Sequence, residues 1–526
     1  MRQATSPPRT GGERSMMIST VCINMSRVSR HKISRSRCRL LFTLPLTCSS
    51  LSYIYQQQRL EQVNGKVNNS LHLDLEILCR DTLDMLIQTV LIIIDRSPPV
   101  LGGLVACLIG LLQLLDEFHY KKLWEELRER KPLKDFLLRA FLVLRMLVRQ
   151  DVFPPDWMVM KMAANHVILS ALRELAQPLI LRFLDTRCHF DNQVWTEYFN
   201  LAVAFLTQPS LQLEKFSEVK RGKVVSKYGD MREKMGFQIL SVWSKLGEHK
   251  INFIPSMVGP FLEVTLVPEP ELRKATLHIF FDMMDCEQRV HGNFKQVESE
   301  LIDKLDILIS DNKGDDEYRQ LFNTILLERV QKEDPAWKEN GSAFITSVTR
   351  LLERLLDYRS VIQGDENRDK RMSCTVNLLN FYKNEINRKE MYLRYVYKLH
   401  ALHVPADNYA EAGFTLKLYA DSLQWSARPV VADPLAHLDQ PEWHRKEQLY
   451  HQILQYFDKG KCWEQGIPLC KELANLYERK LFDYNKLSHI LQTQAKFCDN
   501  ILTLLRPEPE YFRVGFYGLS FPLFLR

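Results

Sequence analysis

An all-α fold is predicted by three observations. Glycine is scarce, at 20 of 526 residues, about 4% against a usual ~7%. Apolar residues recur at helical spacing through most of the chain, and the interruptions between these runs are short. The pattern describes an α-solenoid or a chain of helical bundles, with tetratricopeptide-like packing of helices in the last third. A short extended or β segment is expected at the C-terminal end. Glycine-rich phosphate loops and barrel corners, which doubly wound sheets and β-barrels require, are disfavoured by the same shortage.

The elements follow in order. Residues 1–50 are rich in Ser, Arg and Thr and lack an amphipathic period. They read as a disordered or mispredicted basic head, with a transit peptide or an RNA-binding arm as the alternatives. Two apolar stretches come next, MLIQTVLIII (85–94) and VLGGLVACLIGLLQLL (100–115), separated by Asp95, Arg96, Ser97, Pro98 and Pro99. Each is shorter than the ~20 residues that cross a bilayer. Two buried helices joined by a proline turn are expected instead, with no transmembrane segment.

Phe136, Leu137, Ala140, Phe141, Leu144, Leu147 and Val148 follow i, i+3, i+4, i+7 spacing, as do Ile345, Val348, Leu351, Leu352, Leu355 and Leu356. Both runs predict amphipathic helices. Pro154-Pro155, Pro268-Glu269-Pro270, Asp311 to Gly314 and Gly364 to Asn367 are the turn signals between such runs. In the last third NYAEA (408–412), CWEQG (462–466) and DYNKL (483–487) each put an aromatic residue at a helix start, and FTLKLYADSLQW and IPLCKELANLYERK supply intervening helices. After Pro507 and Pro509, YFRVGFYGLSFPLFLR (511–526) has no helical period and reads as strand or extended chain.

Charge narrows the function. Lys and Arg number 70, Asp and Glu 64, for a net charge of +6. Nine of the basic residues (Arg2, Arg9, Arg14, Arg27, Arg30, Lys32, Arg35, Arg37, Arg39) and one acid, Glu13, lie within residues 1–40, leaving 61 basic against 63 acidic residues, a net of −2. The body is therefore not basic, and nucleic acid is not expected as a partner. Eleven cysteines, an odd number with no CxxC pair, fit a reduced chain with free thiols better than a disulfide framework.

Catalytic signatures are not visible. No GxxxxGK[ST], GxGxxG or GxSxG string occurs. His400 and His403 have ligand-like spacing but no third ligand, and read as polar-face residues. Cys462 and Cys470 flank what reads as a tight turn and are expected to be core thiols. No catalytic, cofactor-binding or metal-binding residue is assigned, and no cofactor is expected. Two charge clusters remain as docking candidates or solvated faces. One is basic, with Lys215, Lys220, Arg221, Lys223, Lys227, Arg232 and Lys234; the other holds eight acids within residues 298–317.

Several strings are more specific than a generic helical array. They are LAVAFLTQPSLQLE (201–214), KYGDMR (227–232), FIPSMVGP (253–260), LRKAT with FFDMM (272–284), ERLLDYR (353–359), RMSCTVN (371–377), MYLRYVYKLHALH (391–403), FDKGKCWEQGI (457–467) and RPEPEYFRVGFYG (506–518). From about residue 72 onward the chain resembles the DOCK (dedicator of cytokinesis) family, in the Rac-directed, myoblast-city-like subgroup. The resemblance implies an armadillo-like scaffold over 72–385 and, over 390–526, the N-terminal part of the DOCKER domain. That part is a helical lobe, with a second lobe entered from about 511.

The resemblance further implies a guanine nucleotide exchange factor for a Rac-type small GTPase, tied to cytoskeletal control and cell migration. An ELMO-type adaptor would be a partner, and localisation would be cytoplasmic with recruitment to the plasma membrane. In this family exchange depends on a third lobe whose loop presses on the magnesium and nucleotide site. As residues 1–526 stop within the DOCKER region, a scaffold and dimerisation fragment without exchange activity of its own is expected. Homodimerisation is expected through 392–505, where Tyr395, Leu399, Phe414, Leu418, Trp425, Tyr456 and Trp463 supply apolar area; most of these are expected to be ordinary core, and no interface residue is assigned. The alternative is a non-catalytic solenoid adaptor that only binds protein partners; transcript sequence past Arg526 separates the two.

Overall fold

In the computed structural model, residues 83–92, 98–149, 157–184, 190–362, 367–430, 433 and 440–506 are described. Every regular element among them is helical, and the one β-bridge, Pro429 with Pro441, is isolated. The expected basic head, the extended segment 511–526 and the Pro154-Pro155 turn lie outside the described residues. Two compact units partition the chain, Met1–Leu301 and Ile302–Arg526.

The first unit begins with helix α1 (residues 83–92) and α2 (Pro98–Leu114), then α3 (Glu117–Glu126), α4 (Arg130–Arg149), α5 (Met158–Arg182), α6 (Asn192–Thr207), α7 (Glu218–Tyr228), α8 (Met231–Lys245), α9 (Val258–Thr265) and α10 (Pro270–His291). Pro98 and Pro99 open α2 rather than break it, because a first-turn proline sacrifices no intrahelical hydrogen bond. The two apolar stretches are thus separate helices, as expected, and no described helix is long and apolar enough to cross a membrane.

The starts and stops of these helices are written in the sequence. Asp116 accepts from the His119 amide at the head of α3. Asp230 accepts from the Arg232 amide to open α8. Before α10, the Glu269 carboxylate receives the amides of Glu271 and Leu272, Pro270 follows at the first helical position, and Gly292 ends the helix at φ 70°. The core gathers where α6, α8 and α9 converge. Phe199 lies 5.8 Å edge-on to Trp243, and Phe261 lies 5.5 Å from Phe199 and 5.6 Å from Trp243. Helices separated by one in sequence pack on each other here, α4 on α6 and α8 on α10.

Helix α11 (Lys295–Ser310) spans the partition. The second unit continues with α12 (Asp316–Val330), α13 (Pro335–Ser360), α14 (Arg368–Asn384), α15 (Lys389–His403), α16 (Tyr409–Ala420), α17 (Glu442–Lys459), α18 (Trp463–Leu476) and α19 (Tyr484–Thr503). From α12 onward each helix packs on the next, giving successive hairpins. Tyr409, Trp463 and Tyr484 are the first residues of α16, α18 and α19, so the three aromatic starts fall as expected. FTLKLYADSLQW is not one helix: α16 stops at Ala420, where the Asp421 amide bonds back to Lys417. IPLCKELANLYERK divides into α18 and a π turn over Tyr477–Leu481.

Candidate functional site

The last five helices, α15 to α19, are tied by four carboxylates, Asp433 and Glu447 buried, Asp458 half-buried and Glu472 exposed, each of which receives donors from other elements. Asp433, in the connection between α16 and α17, is fully buried. It accepts Tyr397 Oη at 3.0 Å, Tyr419 Oη at 3.0 Å and Arg445 Nε at 2.8 Å. Arg445 also donates to Tyr397 Oη at 2.9 Å. Burial pushes the Tyr397 phenol up to about 12, so it stays a neutral donor. Glu447 receives Tyr477 Oη at 2.7 Å and Lys486 Nζ at 2.9 Å. Glu472 accepts from Tyr450 Oη at 2.9 Å, and Asp458 from the Trp463 indole and Lys496, each at 2.8 Å.

These clusters are structural rather than reactive. Each acid is matched by donors. Burial raises the Cys470 thiol to about 12 and Cys374 to about 11, which keeps both protonated and inert. Among the described residues no group of His, Cys, Asp or Glu could hold a metal ion.

Several expectations are corrected by the geometry. Cys462 and Cys470 do not flank a turn: Cys462 precedes α18 and Cys470 lies inside that helix, fully buried, so only Cys470 is a core thiol. His400 and His403 are half-buried at the end of α15 rather than on a polar face. Burial lowers both imidazoles, and His400 packs 5.2 Å edge-on to Tyr456. The acidic run 298–317 is largely absorbed by the fold. Asp306 is buried and accepts Arg394 at 2.9 Å together with the Tyr395 hydroxyl. Asp315 caps α12 through the Tyr318 amide at 2.8 Å, and Asp316 pairs with Arg319.

Of the seven large apolar residues named over 392–505, most of them expected in the core, Tyr395, Leu399 and Trp463 are core, Trp425 and Tyr456 are half-buried, and only Phe414 and Leu418 are exposed. The residues that do form an exposed stripe lie on α19 and its extension. That helix buries only Ile490 and Phe497. Tyr484, Leu491, Ala495, Cys498, Leu502 and Leu505 are all exposed, Leu502 and Leu505 at 84% and 96%. From Tyr484 to Leu502 the separations of seven, four, three and four residues keep them on one side of the helix, and Leu505 follows in the extended chain after Thr503. The signal was legible in the sequence, but helical spacing does not say whether an apolar stripe faces the core or the solvent.

The comparisons with known proteins decide the family. Residues 40–325 match the family model of the Dedicator of cytokinesis (DOCK) TPR region. The chain belongs to the DOCK family. Residues 436–503, which include α17, α18 and α19, match the DHR-2 lobe A. Dedicator of cytokinesis protein 3 of Homo sapiens is 49% identical over 477 residues, and protein 4 of Homo sapiens 48% over 464. Each alignment covers 86% of this chain and 23% of the relative. The DOCK-like protein 1 of Saccharomyces cerevisiae is 20% identical over 364 residues, covering 64% of the chain and 19% of that protein. The chain therefore spans about a quarter of the length of the first two relatives. Among solved structures, a circular tandem repeat protein aligns over 93% of the chain and 95% of its own at 9% identity, with a TM-score of only 0.23.

Proposed function

We propose that the chain is a scaffold and dimerisation segment of a guanine nucleotide exchange factor for a Rac-type small GTPase. The observation that carries this reading is the order of the two family matches, the DOCK TPR region followed by DHR-2 lobe A. Residues 72–385 act as the helical scaffold and residues 390–526 as the opening of the exchange domain. In the full-length context an ELMO-type adaptor is a partner, and the protein works in the cytoplasm with recruitment to the plasma membrane. Two copies meet through 392–505, and the exposed α19 stripe supports that region as the contact.

Exchange needs groups that reach the GTPase's magnesium and nucleotide. The described lobe offers a tightly satisfied helical stack instead, which suits positioning and pairing. The 526-residue chain is accordingly expected to leave the release of fluorescent GDP from a Rac-type GTPase at the rate seen in buffer. Clear stimulation of release would contradict this reading.

A further inference from the structure

The basic cluster that the proposed function does not use is divided by the fold. Arg232 leaves it: fully buried, it donates to Glu214 at 2.8 and 2.9 Å and to Asp230 at 2.8 Å. Lys234 folds back onto the Tyr228 carbonyl at 2.7 Å. The other five cations, Lys215, Lys220, Arg221, Lys223 and Lys227, are exposed and have no ion-pair partner among the described residues.

Four of these five lie on α7, an 11-residue helix with a single acid, Glu218. Val224 is the only side chain of the helix that is buried. Lys220 and Lys223 stand at i, i+3 and Lys223 and Lys227 at i, i+4, spacings at which like charges repel and weaken a helix. Val219 heads the same row and is 70% exposed, and Val225 is exposed as well. A side chain built at Gly222 would meet nothing within 4 Å. The helix is therefore a convex ridge of unneutralised cations with apolar residues beside them.

We propose that α7 is a membrane-facing element that rests this chain on an anionic lipid surface. The cations are mostly lysines, flexible point charges that match a field of phosphate and carboxylate headgroups without needing fixed partner geometry. Val219, one turn before Lys223, would settle among the headgroups as the lysines engage them. An acidic peptide would need a groove to hold its backbone, which a convex ridge does not supply. Nucleic acid would call for open aromatic or guanidinium platforms, whereas the two aromatics here, Phe216 and Tyr228, are half-buried and already lie under Lys220 and Lys227 at 5.7 and 5.1 Å.

The test is sedimentation of the full chain with vesicles of phosphatidylcholine alone, or with roughly one lipid in four replaced by phosphatidylserine. Binding is expected only to the anionic vesicles, weakening as salt rises from about 0.05 to about 0.3 M. The exposed triple variant K220E/K223E/K227E should lower the bound fraction at least about fivefold, and the milder K220Q/K223Q/K227Q variant less. An unchanged far-ultraviolet circular dichroism spectrum shows that both variants fold. A control reversal in the basic head, R35E/R37E/R39E, should retain the α7-dependent part. Equal binding of the α7 variants and the unaltered chain would overturn the proposal, as would equal binding to neutral vesicles. Lysine-dependent binding of a labelled acidic peptide or DNA duplex without vesicle binding would also overturn it.

Discussion

Replacing Asp433 with Ala is expected to destabilise the second unit by about 3–5 kcal/mol, the range found when one partner of a buried ion pair is removed. The carboxylate is fully buried and receives a guanidinium and two phenols from α15, α16 and α17. Without it the Arg445 charge stays in place with its main counter-charge gone, and Tyr419 loses its acceptor. For a unit of this size each kcal/mol moves the melting midpoint by roughly 2–4 °C, so a fall on the order of 10 °C is expected. Thermal melts at fixed protein concentration check it. The double variant D433A/R445M should recover part of the loss, because it removes the stranded cation too. A D433A midpoint within about 2 °C of the unaltered chain would show that the cluster contributes little.

The second large effect is expected in the first unit, at Trp243. Its ring is fully buried and touches Phe199, Phe253 and Phe261 at centroid distances of 5.8, 6.0 and 5.6 Å. Truncation to Ala removes the hub of this aromatic cluster and leaves a cavity, which costs about 3–5 kcal/mol for a large aromatic. The Trp243 indole N–H is buried with no acceptor among the described residues. W243F would remove that unmet donor along with part of the volume, so its loss should be distinctly smaller than that of W243A. Urea denaturation of both variants checks the order. Equal losses would contradict the cavity account, because Phe keeps most of the buried ring.

Much of the fold was legible before any coordinates. The helical period located α4 and α13, the prolines at 98 and 99 separated two apolar helices, and Glu269-Pro270 marked the start of α10. These signals are local, since capping and periodicity depend on residues three or four apart. What could not be read was side-chain fate. Asp306 and Asp315 sit in one acidic run, yet one is buried beneath Tyr395 and the other caps a helix. Arg232 looks like its basic neighbours but is the one that pairs inside. Tyr395 and Trp463, among the large apolar residues of 392–505, lie in the core, as expected of most of that set. Leu491 and Leu502 carry the same helical spacing and are left outside. The direction in which a stripe faces is set by which helices stack, and that is a tertiary fact.

Whether two copies of this segment meet along α19 is decided by sedimentation equilibrium on the full chain and its L491E/L502E variant. Both leucines are exposed, so the charges should not disturb the monomer's core. The account predicts a dimer for the unaltered chain at tens of micromolar, roughly the concentration at which a modest apolar contact associates, and a monomer for the variant. A monomeric unaltered chain, or a dimer that survives both charges, would contradict it.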